Sequence, residues 1–478
     1  MKRTAISLAC ILALVSTSLS GLGAPRSAAA VPAHAPSALK GTLTVFDWGA
    51  FEATAGTKTL LAEYRHMHPG VTLKILPMPP GGDPTIWEES VLAAGAAPDL
   101  VVPPYTQAVF SDLPKHYWLD LTPYLYQPNP YIKGNKRWID SMNPTMNRQN
   151  AFEGRYYYVI SWQAQDATFY YNVDIFQKVG ITHVPTSWAE LLADCARLKK
   201  AGYVPILYPL GDTYPIDVNG SFISVLENQV MGKTFHRLDT NHDGVVDIKE
   251  LVYGIKHKIY SPMNADYREA WKLYKQWSQY WEPNPAGVKG VGPTSGGQLF
   301  FQGKAAMMYA AQYMVGMFAT TKAKVHWDVF KMPPITTATT PLATPNNRVG
   351  IWGAWNADAW AVPVTTKTRG HLALALDFLH WATTPRVEVP VDLAGGMVPT
   401  VADYRPTGRL KHFYDLLTHP TMQFAAEATL GPEWLKNRIA MQQAYITGMQ
   451  SLDQTMTQMQ RFTDQAADRI AKVYHLSY

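Results

Sequence analysis

The sequence predicts an α/β protein built as two lobes, and three observations carry that expectation. The chain has 478 residues, more than the roughly 250 to 300 at which a single core stops growing. A strand-helix-strand-helix-strand alternation begins near Leu43, and a second α/β block begins near Phe169. Apolar residues at 47% and charged residues at 17% are proportions of a chain that buries a core.

Taken in order, Lys2 and Arg3 precede an uncharged run of Ala, Ile, Leu, Val and Ser, and Ser27-Ala28-Ala29-Ala30 supplies a small-residue cleavage site. Residues 1–30 therefore predict a secretory signal peptide, followed by a Pro/Ala/His linker over 31–38. The mature protein is expected to be secreted or periplasmic, or associated with the cell surface. Cys10 follows too short an apolar run to be a lipidation site. Cys195 is then the one cysteine left, and its helical spacing with Trp188, Leu191, Leu192 and Leu198 predicts a buried small hydrophobe. Removing Lys2, Arg3 and Arg26 from 42 basic residues leaves 39 against 37 acidic ones, a balance that calls for no nucleic-acid partner.

LTVFDWG reads as the first strand, Thr57 to Met67 as a helix with Leu60, Leu61, Tyr64 and Met67 on one face, and VTLKIL as the second strand. WEESVLAAG is a helix closed by Gly95, and DLVV a buried strand. This series predicts a parallel sheet with the ligand off the carboxyl ends of its strands. FYYNV and the helix Trp188 to Lys200 open the second block, Met332 to Pro345 is a loop, and the chain is mostly helical from Leu410 onward.

Residues 239–250, DTNHDGVVDIKE, match an EF-hand calcium loop at every ligand position. Asp239, Asn241 and Asp243 supply positions 1, 3 and 5, Gly244 makes the turn, Val245 offers its carbonyl, Asp247 stands at position 9 and Glu250 closes the set. A hard cation of ~6 to 8 oxygen ligands is what draws several carboxylates into so short a loop. The following segment can form an exiting helix, while the preceding FISVLENQVMGKTF is interrupted at Gly232 and Lys233. The expectation is one lone loop with a structural calcium ion.

FYYNVDIFQKVGITHVPTSWAELLADCARLKKAG and QLFFQGKAAMMYAAQY resemble the extracellular sugar-binding proteins of ABC importers, of the maltodextrin-binding type. Weaker similarities, among them APDLVVPP, LDLTPYL and GGMVPTV, follow in the family's order. The resemblance implies a periplasmic-binding-protein-like fold with discontinuous lobes, a hinge and an interlobe ligand cleft. It places 39–165 plus 357–400 in the first lobe and 166–356 plus 401–478 in the second. It also implies a monomer that binds a carbohydrate and meets the membrane permease subunits of an ABC transporter.

Sugar rings present an apolar face and a rim of hydroxyls, so aromatic planes beside hydrogen-bonding groups are the side chains to look for. The candidates are Trp48 after the first strand, Tyr105 after DLVV, Trp162 and Gln165 at the first hinge crossing, Tyr313 after the Ala-Met strand, and Trp352 and Trp355 in GIWGAW. A secreted, calcium-containing enzyme acting on polysaccharide is the alternative. The chain carries none of the common metalloprotease, esterase or phosphate-loop motifs, and the family order favours a binder.

Overall fold

The computed structural model describes residues 39–478 apart from 47–54, 77–83, 104–108, 110–111, 149–150, 161–163, 166, 212–217, 243–245, 291, 293–294, 313, 322–324, 345–354, 357–358 and 418–429. The expected signal peptide and linker, 1–30 and 31–38, lie outside the described residues. Everything below belongs to the one unit Ala33–Tyr478.

Eleven strands are described: β1 Gly41–Phe46, β2 Val71–Leu76, β3 Leu100–Val101, β4 Tyr158–Ile160, β5 Ala164–Gln165, β6 Ala167–Asn172, β7 Val204–Leu207, β8 Ala305–Ala311, β9 Trp327–Phe330, β10 Trp355–Asn356 and β11 Ala359–Ala361. They form a five-stranded sheet in the order β2-β1-β3-β11-β4, a four-stranded sheet in the order β7-β8-β6-β9, and the ribbon β10-β5. The result is a two-lobed α/β fold with open mixed sheets.

In the first sheet β1 runs parallel to β2 and β3, whereas β11 is antiparallel to β3 and β4. Leu43 and Val45 of β1 are buried while Thr42 and Thr44 are less so, the alternation of a strand covered chiefly on one face. The helix Ala55–Met67 places Leu61 and Tyr64 against the sheet, and the helix Leu372–Ala382 packs beside them. Asp377 ties these parts together, accepting from the Tyr64 hydroxyl at 2.9 Å and the Tyr131 hydroxyl at 3.0 Å.

The second sheet is lined by aromatic rings, with Phe169 stacked on Phe330 at 4.8 Å and edge-on to Tyr309. The helix Trp188–Lys200 begins where the sequence places it, because the Ser187 hydroxyl caps the Glu190 N–H. Cys195 is fully buried on its inner face, and that burial pushes its thiol pKa up. Arg438 and Glu227, both wholly buried, pair at 2.9 Å and join the helices Pro432–Ile446 and Val218–Val230.

Two large cores follow from this layout. One draws on residues between Leu39 and Met142 and between Trp360 and Val391, the other on residues between Met146 and Ala343 and between Val398 and Ala467. Met142 and Met146 stand four residues apart in different cores, as do Val391 and Val398 at a greater spacing. The interruption expected at Gly232 and Lys233 falls at Met231 instead: the helix Val218–Val230 ends before it, and Gly232 and Lys233 open a second helix, Gly232–Leu238. Gly232 sits there because a Cβ would lie 2.7 Å from the Thr344 hydroxyl. No helix among the described residues is long and apolar enough to cross a membrane.

Candidate functional site

The segments between the two cores are where the sequence places a ligand. Trp48, Tyr105, Trp162, Tyr313 and Trp352 fall outside the described residues, as do Asp243 and Val245 of the acidic loop. For Gln165 and Trp355 the backbone is described, and it brings them together. Trp355 of β10 faces Gln165 of β5 in an antiparallel pair, with Asn356 opposite Ala164. Two positions 190 apart in sequence thus share one ribbon, immediately before β6 of one sheet and β11 of the other.

A second junction was not legible as a site in the sequence. The strand β8 ends at Ala311, and the fully buried Gln312 donates from Nε2 to the Gly396 carbonyl at 3.2 Å while its backbone carbonyl accepts from the Tyr170 hydroxyl at 3.4 Å. The helix Met314–Thr320 then meets the end of the helix Pro385–Gly395 backbone to backbone. A Cβ on Gly316 would lie 2.4 Å from the Gly395 carbonyl oxygen, and one on Gly396, at φ +75°, would lie 2.5 Å from the Gly316 nitrogen. Only glycine permits that approach. The signals that could have found it are QY at the end of the Ala-Met strand and the Gly-Gly pair of GGMVPTV.

From Gly396 the chain passes on to the second core through Thr400. Glu388 holds Thr400 by accepting from its N–H and its hydroxyl, each at 2.6 Å, and the Thr400 carbonyl accepts from the Asn143 N–H at 2.6 Å. Burial pushes the Glu388 carboxyl up to about 8, the Thr400 bonds opposing it. A bridge between Met142 and Val401 completes the junction.

The acidic loop lies between the helices Gly232–Leu238 and Ile248–Lys256. Asp247 caps the second helix, accepting from the Lys249 and Glu250 N–H groups at 2.8 Å, and Glu250 returns a bond to the Asp247 N–H at 3.1 Å. The other Glu250 oxygen grips the start of the loop through the Thr240 N–H at 2.7 Å and the Asn241 N–H at 3.2 Å. Asp239, Glu250 and Ile248 are buried, and Val246 anchors the loop in the second core. Among the described residues no three His, Cys, Asp or Glu side chains converge as a metal cage.

Residues 50–389 match the family described as bacterial extracellular solute-binding protein. An inferred binding protein of Brucella abortus is 25% identical over 217 residues, and the alignment takes in 45% of this chain and 44% of that relative. The chain thus spans under half the length of the curated relatives it matches. Among solved structures, a chitin oligosaccharide binding protein superposes with a TM-score of 0.67 at 17% identity, covering 90% of this chain and 99% of that one. RafE in complex with raffinose gives 0.65 at 15% identity over 90% and 100% of the two chains. The sugar-binding protein MalE from Xanthomonas citri gives 0.62 at 16% identity over 92% and 100%. At these identities the likeness is one of fold.

Proposed function

The chain belongs to the bacterial extracellular solute-binding proteins, and from that premise we propose that it captures a sugar or small oligosaccharide between its two lobes and delivers it to the permease subunits of an ABC importer. The observation that carries the reading is the pairing of Trp355 with Gln165 in the ribbon that joins the two sheets. An aromatic and an amide, the side-chain types a sugar needs, thereby share the hinge of a two-lobed receptor. The lobes divide as 39–165 plus 357–400 and 166–356 plus 401–478. Aromatic residues at 12% of the chain, many in polar stretches of the sequence, support a carbohydrate, as do the oligosaccharides named for the neighbouring folds. A thermal-shift screen against neutral oligosaccharides tests the reading, because a ligand bound by the native state alone raises its stability with the logarithm of concentration over Kd. At least one member should raise the melting temperature in a dose-dependent way, and a library without effect would remove the sugar assignment.

Calcium at residues 239–250 belongs to the same proposal. The donor atoms are all oxygen, the set a hard divalent cation takes. Asp239, Asn241, Asp243, Asp247 and Glu250 would hold the ion with the Val245 carbonyl, and the ion supplies the positive charge that relieves their mutual repulsion. Glu250 already closes the loop on its own first turn. With the loop anchored in the second core, the role proposed for the ion is structural.

A further inference from the structure

The turn Phe152–Arg155, which leads into β4, reaches from the first lobe onto the second. Phe152 and Arg155 exchange backbone hydrogen bonds at 2.8 and 2.9 Å, and both central residues, Glu153 and Gly154, have positive φ, 49° and 72°, as a tight two-residue turn requires. Its base belongs to the first lobe, where Arg155 pairs with Asp120 at 2.9 Å and Tyr156 packs on the first core. Its tip meets the second lobe. Glu153 pairs with Lys249, in the first turn of the helix Ile248–Lys256, and the Phe152 ring lies 6.4 Å from that of Tyr474, just past the helix Leu452–Val473.

Strand register puts this contact on the cleft side. Tyr158 stands opposite Ala361, Ala361 opposite Val101, and Val101 beside Phe46, so Tyr158 is level with the last residues of β3 and β1. Those are the carboxyl ends, from which an α/β sheet presents its ligand. Tyr474 faces that end, because its hydroxyl pKa is raised by burial and then by Glu153, by Asp112 in the segment after β3, by Asp247 and by Tyr157, the neighbour of Tyr158.

The ion pair is made from fixed ends. Asp247 accepts from the Lys249 N–H at 2.8 Å, the Lys249 carbonyl accepts from the Tyr478 hydroxyl at 3.1 Å, and the turn holds Glu153. A partly exposed pair ordinarily contributes little, since two long side chains must be ordered to make it; here both backbones are held beforehand. Lys249 also stands between like charges. Burial and the Glu250 and Glu153 carboxylates push the Asp247 carboxyl up against the pull of its N–H bonds, so Glu153 of one lobe acts on Asp247 of the other. Asp112 is already paired with Lys115 at 2.8 Å. With Lys249 neutral, the repulsion between Glu153 and Asp247 would push the lobes apart. We propose that Lys249 and Glu153 form a latch across the mouth of the cleft, an attraction that weights the closed form and becomes a repulsion when the lysine is lost. The latch rests on the two-lobed capture proposed above but not on the identity of the solute.

The test needs no ligand. Spin labels at Lys74→Cys in the first lobe and Lys178→Cys in the second, both exposed positions, report the lobe separation in the full mature chain, in which Cys195 is buried and takes no label. At one fixed calcium concentration the parent should show a shorter and a longer distance, and Lys249→Met should lower the ratio of shorter to longer threefold or more. Glu153→Gln should lower it less. The double variant Lys249→Met/Glu153→Gln should recover to the level of Glu153→Gln, because the carboxylate that repels is gone; a lysine that merely supported its own helix would allow no such recovery. The latch is refuted if Lys249→Met leaves the distances of the parent, or if the double variant stays as open as Lys249→Met alone. A thermal screen without a sugar hit leaves these distances readable.

Discussion

Alanine at Gly316 sets two effects of opposite sign against each other. In an ordinary helix Gly→Ala stabilises by about 1 kcal/mol, because glycine loses more conformational freedom on folding. Gly316 lies in the helix Met314–Thr320, where its Cβ would meet the Gly395 carbonyl oxygen at 2.4 Å, against the 3.0 Å below which such contacts essentially never occur. Both partners are backbone, so the conflict can be relieved only by moving the two helices apart by at least about 0.6 Å. Overpacking of that kind costs typically ~1 to 3 kcal/mol and outweighs the helix gain. Urea unfolding of Gly316→Ala should therefore show a lower midpoint at unchanged slope, a net loss of up to about 2 kcal/mol. A variant as stable as the parent, or more stable, would refute the close approach.

Three further outcomes are expected. The Glu388 carboxyl is raised from an ordinary 4.5 to about 8 by burial, so its contribution to stability is complete below pH 4.5 and is lost as pH rises through 8, on the order of 4 to 5 kcal/mol at most. Glu388→Gln should flatten the decline of melting temperature between pH 5 and 8, and an unchanged profile would show that another group causes it. Calcium should raise the melting temperature, by a stabilisation of about 2.7 kcal/mol at a hundredfold excess over Kd, and Glu250→Gln should abolish that rise; the difference with and without calcium is the readout, since the variant also weakens the grip on Thr240. Tyr313→Ala and Trp355→Ala should each weaken binding of a sugar found in the screen by about 1 to 3 kcal/mol with the fold intact, and two variants that bind like the parent would move the site elsewhere.

The sequence revealed most where periodicity and caps coincide. The first strand and the apolar face through Trp188, Leu191, Leu192, Cys195 and Leu198 are local patterns, and the structure repeats them, with Leu192 half-buried at the edge of the core. Less was legible where partners are distant in the chain. Nothing near Glu227 indicates that Arg438 neutralises it, nor does anything near Gly316 announce Gly395, because such contacts depend on how layers stack. The acidic loop is the intermediate case. Its ligand spacing was readable, whereas the second task of Glu250, closing the loop through backbone N–H groups ten residues earlier, appears only once the helix Ile248–Lys256 is in place.

Capture between two lobes predicts a change of shape that no rigid binder shows. Small-angle scattering on the mature chain, with and without a saturating sugar taken from the thermal screen, measures it directly. The complex should have the smaller radius of gyration, with Trp355→Ala needing more sugar to reach the same contracted state. An unchanged scattering profile at proven saturation would contradict closure about the Gln165–Trp355 ribbon.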